Sequence, residues 1–263
     1  MSTQSNFAKK SPLKDKPLRL PGQSLDDRIW DFNYDQRVAP FMIALTCLFA
    51  AFMEIVFWLT HASRVKSTFV MVAYALAAVF YAVWKWRRSS PKLAALKLGR
   101  DGERAVAEVL AEQVRKGNAV FHDLVGPNFN LDHVIVSPQG AFVIETKTLS
   151  KPTRPDAYVT FDGTKLLVDG HAMDRDPIEQ TLSEIRWLKD LLRDSTGTDI
   201  PVKGLVVFPG WFVKSDHSNF ERKVWVMNPK GIDGFITAGH TVMPPDKVHL
   251  VAFHLSRYIR SSQ

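Results

Sequence analysis

The chain has 263 residues, of which 46% are hydrophobic and 23% are charged, so it is long enough for one substantial core or two small ones. This ordinary composition excludes wholesale disorder, a collagen helix and a coiled-coil rod. The formal net charge of +7 suggests a polyanionic partner, either nucleic acid or an acidic membrane surface. The single cysteine, Cys47, excludes an internal disulfide framework and zinc sites built on two or four cysteines.

The positive charge is concentrated in the first third of the chain. Residues 1–90 contain 12 Lys and Arg against 6 Asp and Glu, whereas residues 91–263 contain 22 against 21. Because the second part is nearly neutral, the net charge gives little support to nucleic-acid binding there. The polar residues 1–36 are expected to form a flexible or surface-lying tail, or alternatively a basic arm that contacts anionic lipid.

Two long apolar runs follow the tail. The first, residues 38–60, contains one charged residue, Glu54, and its 23 residues would cross a hydrocarbon core of ~30 Å as a helix that rises ~1.5 Å per residue. The second, residues 68–84, is near the lower length limit for a span. Aromatic residues near the ends of both runs suit a membrane interface. We therefore predict a transmembrane hairpin over residues 37–88.

Lysine and arginine near the ends of these runs predict the orientation. The connecting loop contains only Arg64 and Lys66, whereas more cations flank the hairpin, namely Arg28, Arg37, Lys85, Arg87, Arg88, Lys92 and Lys97. By the positive-inside tendency, both termini of this multi-pass protein are expected in the cytoplasm, with the bacterial inner membrane as the host bilayer. The hairpin could also support a homo-oligomer or a membrane complex.

Glu54 is the only carboxylate inside the apolar runs. A carboxylate at membrane depth is costly, and a functional role is the usual first hypothesis. Here the structural interpretation is favoured, in which Glu54 points toward the interface, stays protonated, or pairs with Arg64 or Lys66. Two spans are too few to build a solute pathway without oligomerisation.

From residue 97 onward, helical and strand-like segments alternate. A helix with helical apolar spacing over residues 98–114 ends at Gly117. The remaining elements follow in this order: strands from Ala119, Asp132 and Ala141, a hairpin around Asp162-Gly163, a helix from Pro177, strands from Val202 and Lys223, and a closing helix from Asp246. This order predicts an α/β domain over residues 97–263.

Polar residues interrupt two of these strands. Side chains alternate along a strand, so Glu145 and Lys147 share one face, and the hairpin pairing brings Asp132 of the preceding strand near that face. Carboxylates bind hard cations such as Mg²⁺ or Mn²⁺, and a neighbouring lysine can orient or deprotonate a water molecule. The bare pattern also fits an edge strand with an ion pair. His133 is expected to point to the opposite face and to have a packing or supporting role.

Four separated motifs favour a catalytic site over a simple ion pair, because they occur together and in a fixed order. They are Gly102-Glu103, Leu131-Asp132-His133 with Val134 and Val136, Gly140 through Glu145-Thr146-Lys147, and Asp176-Pro177 with Gln180. Together they resemble the NERD (nuclease-related) domain of the PD-(D/E)XK nuclease superfamily, over residues 98–210. The family tends to have Asn-Pro where this chain has Asp176-Pro177, which is a conservative departure. The resemblance implies a restriction-endonuclease-like mixed β-sheet core flanked by helices, here preceded by the transmembrane hairpin.

The resemblance also implies roles for individual residues. Asp132 and Glu145, assisted by the backbone carbonyl of Thr146, would bind Mg²⁺ or Mn²⁺, and Glu103 would complete the acidic cluster or bind a second metal through water. Each residue also has a structural explanation, since a glutamate such as Glu103 is favoured in the first turn of a helix by the helix dipole.

Two further residues complete the implied site. Lys147 would position the attacking water, and Gln180 would orient Lys147 or contact a phosphate. The leading expectation is a membrane-anchored, metal-dependent nuclease that hydrolyses phosphodiester bonds, with DNA favoured over RNA. The alternative is a catalytically weak module that binds nucleic acid or scaffolds a DNA-processing, transfer or defence complex at the membrane. A third hypothesis is a membrane structural protein whose hairpin drives oligomerisation.

Overall fold

The computed structural model describes residues 15–61, 65–154, 157–215 and 222–262. The chain forms two compact units. Gly22–Arg104 forms the first, called here the apolar unit, and the residues on both sides of it form the second, called the α/β unit.

The apolar unit consists of helices. Helix α1 (Gln23–Asn33) leads through a π-helical stretch, Tyr34–Val38, into α2 (Ala39–His61), and α3 (Val65–Arg115) begins in this unit and continues into the other. Two helical stretches, Gln23–Thr60 and Ser67–Arg115, are long and apolar enough to cross a membrane by length and composition. Their large apolar side chains are mostly exposed, among them Phe49, Leu59, Phe69 and Phe80. This exposure distinguishes both helices from the buried core helix of a soluble protein.

Two features of the apolar unit differ from the sequence-based expectation. Part of the expected tail is helical, because α1 begins at Gln23. The helix that contains the second apolar run continues beyond residue 88, through Pro91. A proline lacks the N–H group that a helix interior uses, but the flanking Ala, Leu and Lys residues have high helix propensity. The hydroxyl of Ser90 also donates to the carbonyl of Trp86 at 2.8 Å.

The interpretation of Glu54 as a structural residue stays a prediction. Glu54 is half-buried on α2. Arg64, one of its proposed partners, lies outside the described residues, and so does the side chain of Lys66. Arg37 stacks on the ring of Trp86 at 4.3 Å and donates to a serine hydroxyl of α3. A cation on an indole ring is typical of a membrane interface.

The α/β unit contains a mixed five-stranded sheet in the order β1-β2-β3-β7-β9. The first three strands are antiparallel, and β3, β7 and β9 run parallel. Their bounds are β1 Ala119–Val125, β2 Asn130–Ser137, β3 Gly140–Thr146, β7 Val202–Val207 and β9 Val224–Met227. The helices are α4 (Pro177–Thr196), α5 (Ile232–Thr237) after a 3-10 turn, and α6 (Pro245–Ser261). The predicted fold class, a mixed α/β sheet flanked by helices, is confirmed.

A second, four-stranded sheet has the order β6-β5-β4-β8. It comprises β4 Tyr158–Phe161, β5 Leu166–Val168, β6 His171–Ala172 and β8 Phe212–Ser215. The chain enters this sheet after the carboxyl ends of β3 and β7. The chain therefore enters the second sheet from the end of the central sheet where Glu145 and Lys147 lie.

Apolar side chains on the two faces of the central sheet form two clusters. On one face, Val143 and Val206 pack with Leu188 of α4 and with α6, and on the other, Phe142 and Leu205 pack with α3 and α5. Alternation along each strand produces this division. Helix α4 lies close to the sheet because β7 has Gly204 there, where a Cβ atom would collide with side chains of α4.

The N-terminal residues of the α/β unit are attached to it by ion pairs. Arg19 contacts the buried carboxylate of Asp123 in β1 at 2.6 Å, and Asp15 contacts Arg260 of α6 at 3.2 Å. Asp123 has a positive φ of 53°, which is uncommon for a residue other than glycine. Two widely separated parts of the chain thus fold as one unit.

Candidate active site

The register of β2 and β3 brings two carboxylates to the same edge of the sheet. The paired ladder runs as far as His133 opposite Ile144, so Asp132 and Glu145 come next on the two strands. The backbone N–H of Thr146 donates to Oδ2 of Asp132 at 2.7 Å. This hydrogen bond holds the Asp132 carboxylate at the end of β3.

Lys147 connects this edge of the sheet to α4. Its Nζ donates to Oε1 of Glu145 at 2.5 Å and to Oε1 of Gln180 at 3.0 Å. Glu145 and Lys147 are two residues apart in an extended segment and therefore share the face that α4 covers. The structure thus brings Glu145, Lys147 and Gln180 together, with Asp132 on the neighbouring strand.

Helix α4 adds a residue that the sequence analysis missed. Glu184 lies one turn after Gln180, is buried, and accepts a hydrogen bond from Nε2 of Gln180 at 2.9 Å. The start of the helix is fixed by Asp176, whose side chain accepts from the N–H of Ile178 at 2.8 Å while proline occupies the first turn. Aspartate and asparagine are equally good caps, so this departure from the Asn-Pro pattern keeps the helix start.

The residues that form this site lie in a part of the sequence that matches a known family. Residues 98–209 match the model of the NERD family, the nuclease-related domain. This part of the chain is therefore similar to a nuclease-related domain. The matched range is less than half of the chain, and it includes every predicted site residue together with Glu184. Neither a curated protein nor a solved structure matches this chain.

Burial dominates the electrostatics of the candidate site. Burial, and then the neighbouring charge of Glu145, raises the pKa of Glu184 to about 8. The pKa of Glu145 is also raised, because the loss of solvent outweighs the attraction of Lys147. Within the described part of the chain, Oε2 of each of these carboxyl groups is buried and has no hydrogen-bond partner. The two groups therefore favour a state in which they share a proton.

The side chains at the site match a divalent cation in type. Asp132 and Glu145 provide carboxylate oxygens, which hard cations such as Mg²⁺ and Mn²⁺ prefer, and the buried Oε2 of Glu145 has an unused acceptor position. No group of three or more His, Cys, Asp or Glu side chains suited to a metal occurs in the ranges that the structure describes. A cation here would thus depend on two carboxylates, a backbone carbonyl such as that of Thr146, and water.

Glu103 and His133 complete the set of residues singled out from the sequence. Glu103 lies on α3 in the apolar unit, and its part in the acidic cluster stays a prediction. His133 is fully buried, and its Nδ1 lies 2.8 Å from Nδ1 of His122 on the neighbouring strand β1. Burial, and then the proximity of His122, holds the pKa of His133 well below its usual value, so it stays neutral. These contacts agree with the packing role expected for His133.

Proposed function

We propose that the nuclease-related domain hydrolyses phosphodiester bonds with the help of Mg²⁺ or Mn²⁺, and that the apolar helices anchor it in a membrane. The observation that carries this proposal is the position of Lys147. Its ammonium group is held between Glu145 and Gln180 at the edge of the sheet where Asp132 also lies. This arrangement supports hydrolysis better than a general structural role, because two buried acids, Glu145 and Glu184, next to one cation are costly for stability.

The residues have separate roles in the proposed reaction. Asp132, Glu145 and the carbonyl of Thr146 would hold the cation, which supplies Lewis-acid stabilisation of the phosphate and lowers the pKa of a bound water. The ammonium of Lys147 has three N–H donors, of which Glu145 and Gln180 take two. The third can donate to the attacking water or to a phosphate oxygen. Gln180 keeps the ammonium in place, and Glu184 keeps Gln180 in place.

The proposed substrate is DNA rather than RNA, which follows from the resemblance to restriction endonucleases. The proposed location is the bacterial inner membrane, with both termini in the cytoplasm. Two apolar helices with exposed side chains support the anchor. The flanking cations support the orientation. Association of two copies through these helices is compatible with the same surface.

A second candidate function is a module of the same fold that binds nucleic acid or scaffolds a membrane complex without cleaving. Two observations favour it. Lys147 neutralises one of the two carboxylates that a cation would need. The described residues also include no metal group of three or more side chains. This module would retain binding to nucleic acid after loss of the carboxylates.

Cleavage assays on the full-length protein in detergent separate the two functions. Plasmid, linear duplex, single-stranded DNA and RNA are incubated with Mg²⁺, Mn²⁺ or EDTA. We expect metal-dependent cleavage that falls by roughly 100-fold or more in Glu145→Gln and in Lys147→Met, as is usual for loss of acid–base or charge-stabilising groups. Glu179→Gln and Lys247→Met are the matched controls, because Glu179 is an exposed acid on the same helix as Gln180 and Lys247 lies on another helix of the same unit.

Two results would decide against cleavage by this site. Unchanged activity in both site variants would exclude the assigned residues. Absence of cleavage with every metal, together with salt-sensitive binding that survives Glu145→Gln, would select the binding module.

A further inference from the structure

A groove in the α/β unit follows the carboxyl ends of β3 and β7. Its volume is about 670 Å³, and its walls include Lys151, Trp211, Phe212 and Lys230. Both β3 and β7 end at the edge of the central sheet that carries Glu145 and Lys147. The segments that leave β3 and β7 form part of the groove, and α3 and residues 228–230 after β9 form the rest.

An exposed aromatic ring stands in this groove. Phe212 on β8 is 68% exposed, so most of its ring surface is accessible to a ligand. In the register of β4 and β8 it is opposite Tyr158, whose ring is covered by the ammonium of Lys214 at 3.7 Å. This exposed strand face therefore presents aromatic rings and a cation together.

The charge of the groove favours an anion. The described residues that line it include two lysines, Lys151 and Lys230, and no aspartate or glutamate. The ammonium of Lys151 lies 5.7 Å from the centre of the Trp211 ring. Cations interleaved with aromatic rings are the usual composition of surfaces that bind single-stranded nucleic acid.

The backbone beside Phe212 is fixed by hydrogen bonds. The indole N–H of the buried Trp211 donates to the carbonyl of Leu149 at 3.2 Å, and Asn228 donates to the carbonyl of Trp211 at 2.8 Å. These bonds hold the strand entry while the neighbouring phenyl ring faces solvent. A ring on a fixed backbone loses little conformational freedom when a ligand binds.

The groove begins close to the candidate active site. Leu149, which bonds Trp211, is two residues after Lys147, a separation of at most about 7 Å along an extended chain. On the other strand, the N–H of Lys147 donates to the carbonyl of Val207 at 2.9 Å, and Pro209 of the groove is two residues further. A polymer cleaved at Lys147 could therefore extend directly into the groove.

We propose that this groove binds a single-stranded segment of the nucleic-acid substrate, with one base stacked on Phe212 and the phosphates near Lys151 and Lys230. The proposal rests on the proposed function of the domain. A base offers its π-face to a protein ring only when it is not stacked within a duplex. Stacking also contributes affinity that does not depend on net charge, which suits a region with 22 basic and 21 acidic residues. Duplex binding through phosphates alone would need more cations.

Binding measurements on the full-length protein in detergent test the groove. EDTA is included so that cleavage cannot interfere, and the probes are a short fluorescent single-stranded oligodeoxynucleotide and the duplex of the same sequence. We expect Phe212→Ala to weaken single-strand binding by roughly 5- to 100-fold, the usual loss for one stacked base, and to change duplex binding less than twofold. Phe253→Ala, which removes a 57% exposed ring on α6, is the matched control and should bind normally.

Two further variants identify the kind of contact. Phe212→Trp keeps a stacking surface, so we expect affinity near that of the unmodified protein and quenching of the new indole fluorescence by the bound strand. Lys151→Gln combined with Lys230→Gln should reduce the slope of log affinity against log salt by about 1.4, because each phosphate contact to a single strand contributes about 0.7. Lys247→Gln is the control for this pair.

Several outcomes would overturn the groove assignment. They are normal single-strand affinity in Phe212→Ala, an equal loss for both probes, and no binding of the single strand by the unmodified protein. Loss of binding to anionic vesicles with normal oligonucleotide affinity would instead assign Phe212 to a lipid surface. Because no metal is present, failure of cleavage by Glu145 and Lys147 does not alter these results, and normal cleavage with normal binding in Phe212→Ala rejects the groove alone.

Discussion

Replacement of Glu184 by glutamine should change how stability depends on pH. The pKa of Glu184 rises from its ordinary value of 4.5 to about 8 in the folded chain. The folded protein therefore keeps a proton that the unfolded chain loses, so this group stabilises fully below pH 4.5, and its contribution is lost as the pH rises to about 8. At ~1.4 kcal/mol per pH unit, the upper limit of this loss is about 5 kcal/mol.

The replacement of Glu184 by glutamine also affects Glu145. The two carboxyl groups are coupled, so the proton belongs to the pair rather than to one residue. Glutamine cannot ionise, which removes the titration of residue 184 from the pair. We therefore expect Glu184→Gln to be nearly as stable as the unmodified protein at pH 5 and more stable at pH 8.

Thermal unfolding of the full-length protein in detergent and EDTA measures this difference. For a unit of this size, ~1 kcal/mol corresponds to ~2–4 °C in Tm, so the Tm advantage of Glu184→Gln should grow by as much as ~10–20 °C between pH 5 and pH 8. Glu179→Gln removes an exposed carboxyl of the same helix and should show no such trend. A Tm difference that stays constant from pH 5 to pH 9 would refute the raised pKa and the shared proton.

Three other substitutions test the packing that supports the site, each by Tm at one pH. Asp176→Ala removes the cap of α4 and should cost about 1 kcal/mol, whereas Asp176→Asn should be neutral, and equal losses would exclude the cap as the cause. Gly204→Ala should cost about 1–3 kcal/mol, because the added Cβ would collide with Thr181 of α4, and an unchanged Tm would show that the helix adjusts freely. Leu188→Ala should cost about 2–5 kcal/mol by leaving a cavity in the fully buried core, and a loss below 1 kcal/mol would contradict tight packing there.

The central sheet was predictable because its strands are short apolar runs between turn residues. The predicted starts at Ala119 and Val202 coincide with β1 and β7, and the Asp162-Gly163 hairpin joins β4 to β5. Strand β8 was missed because its four residues alternate weakly and its partner β4 lies far away in the sequence. Helix α1 was missed because most of its residues are polar, although Leu25, Ile29 and Phe32 recur at helical spacing.

The site was predictable only in part for a similar reason. Alternation along β3 is local, so the shared face of Glu145 and Lys147 followed from the sequence. The contact of Gln180 with Lys147 depends on how α4 crosses the sheet, which only the family resemblance suggested. Glu184 could have been noticed, because it occupies a position where the apolar period of α4 calls for a buried residue. It was passed over because a single acid on an amphipathic helix usually faces water.

The attachment of residues 15–21 to the α/β unit restricts how many times the chain between these two parts can cross a membrane. Arg19 bonds Asp123, and Asp15 bonds Arg260, so the segments before and after the apolar unit fold together as one unit. Any path through a bilayer between them must cross it an even number of times. A single crossing would separate each pair of partners by the full membrane thickness. This even number of crossings follows from two ion pairs alone and is independent of how lysines and arginines are distributed along the sequence.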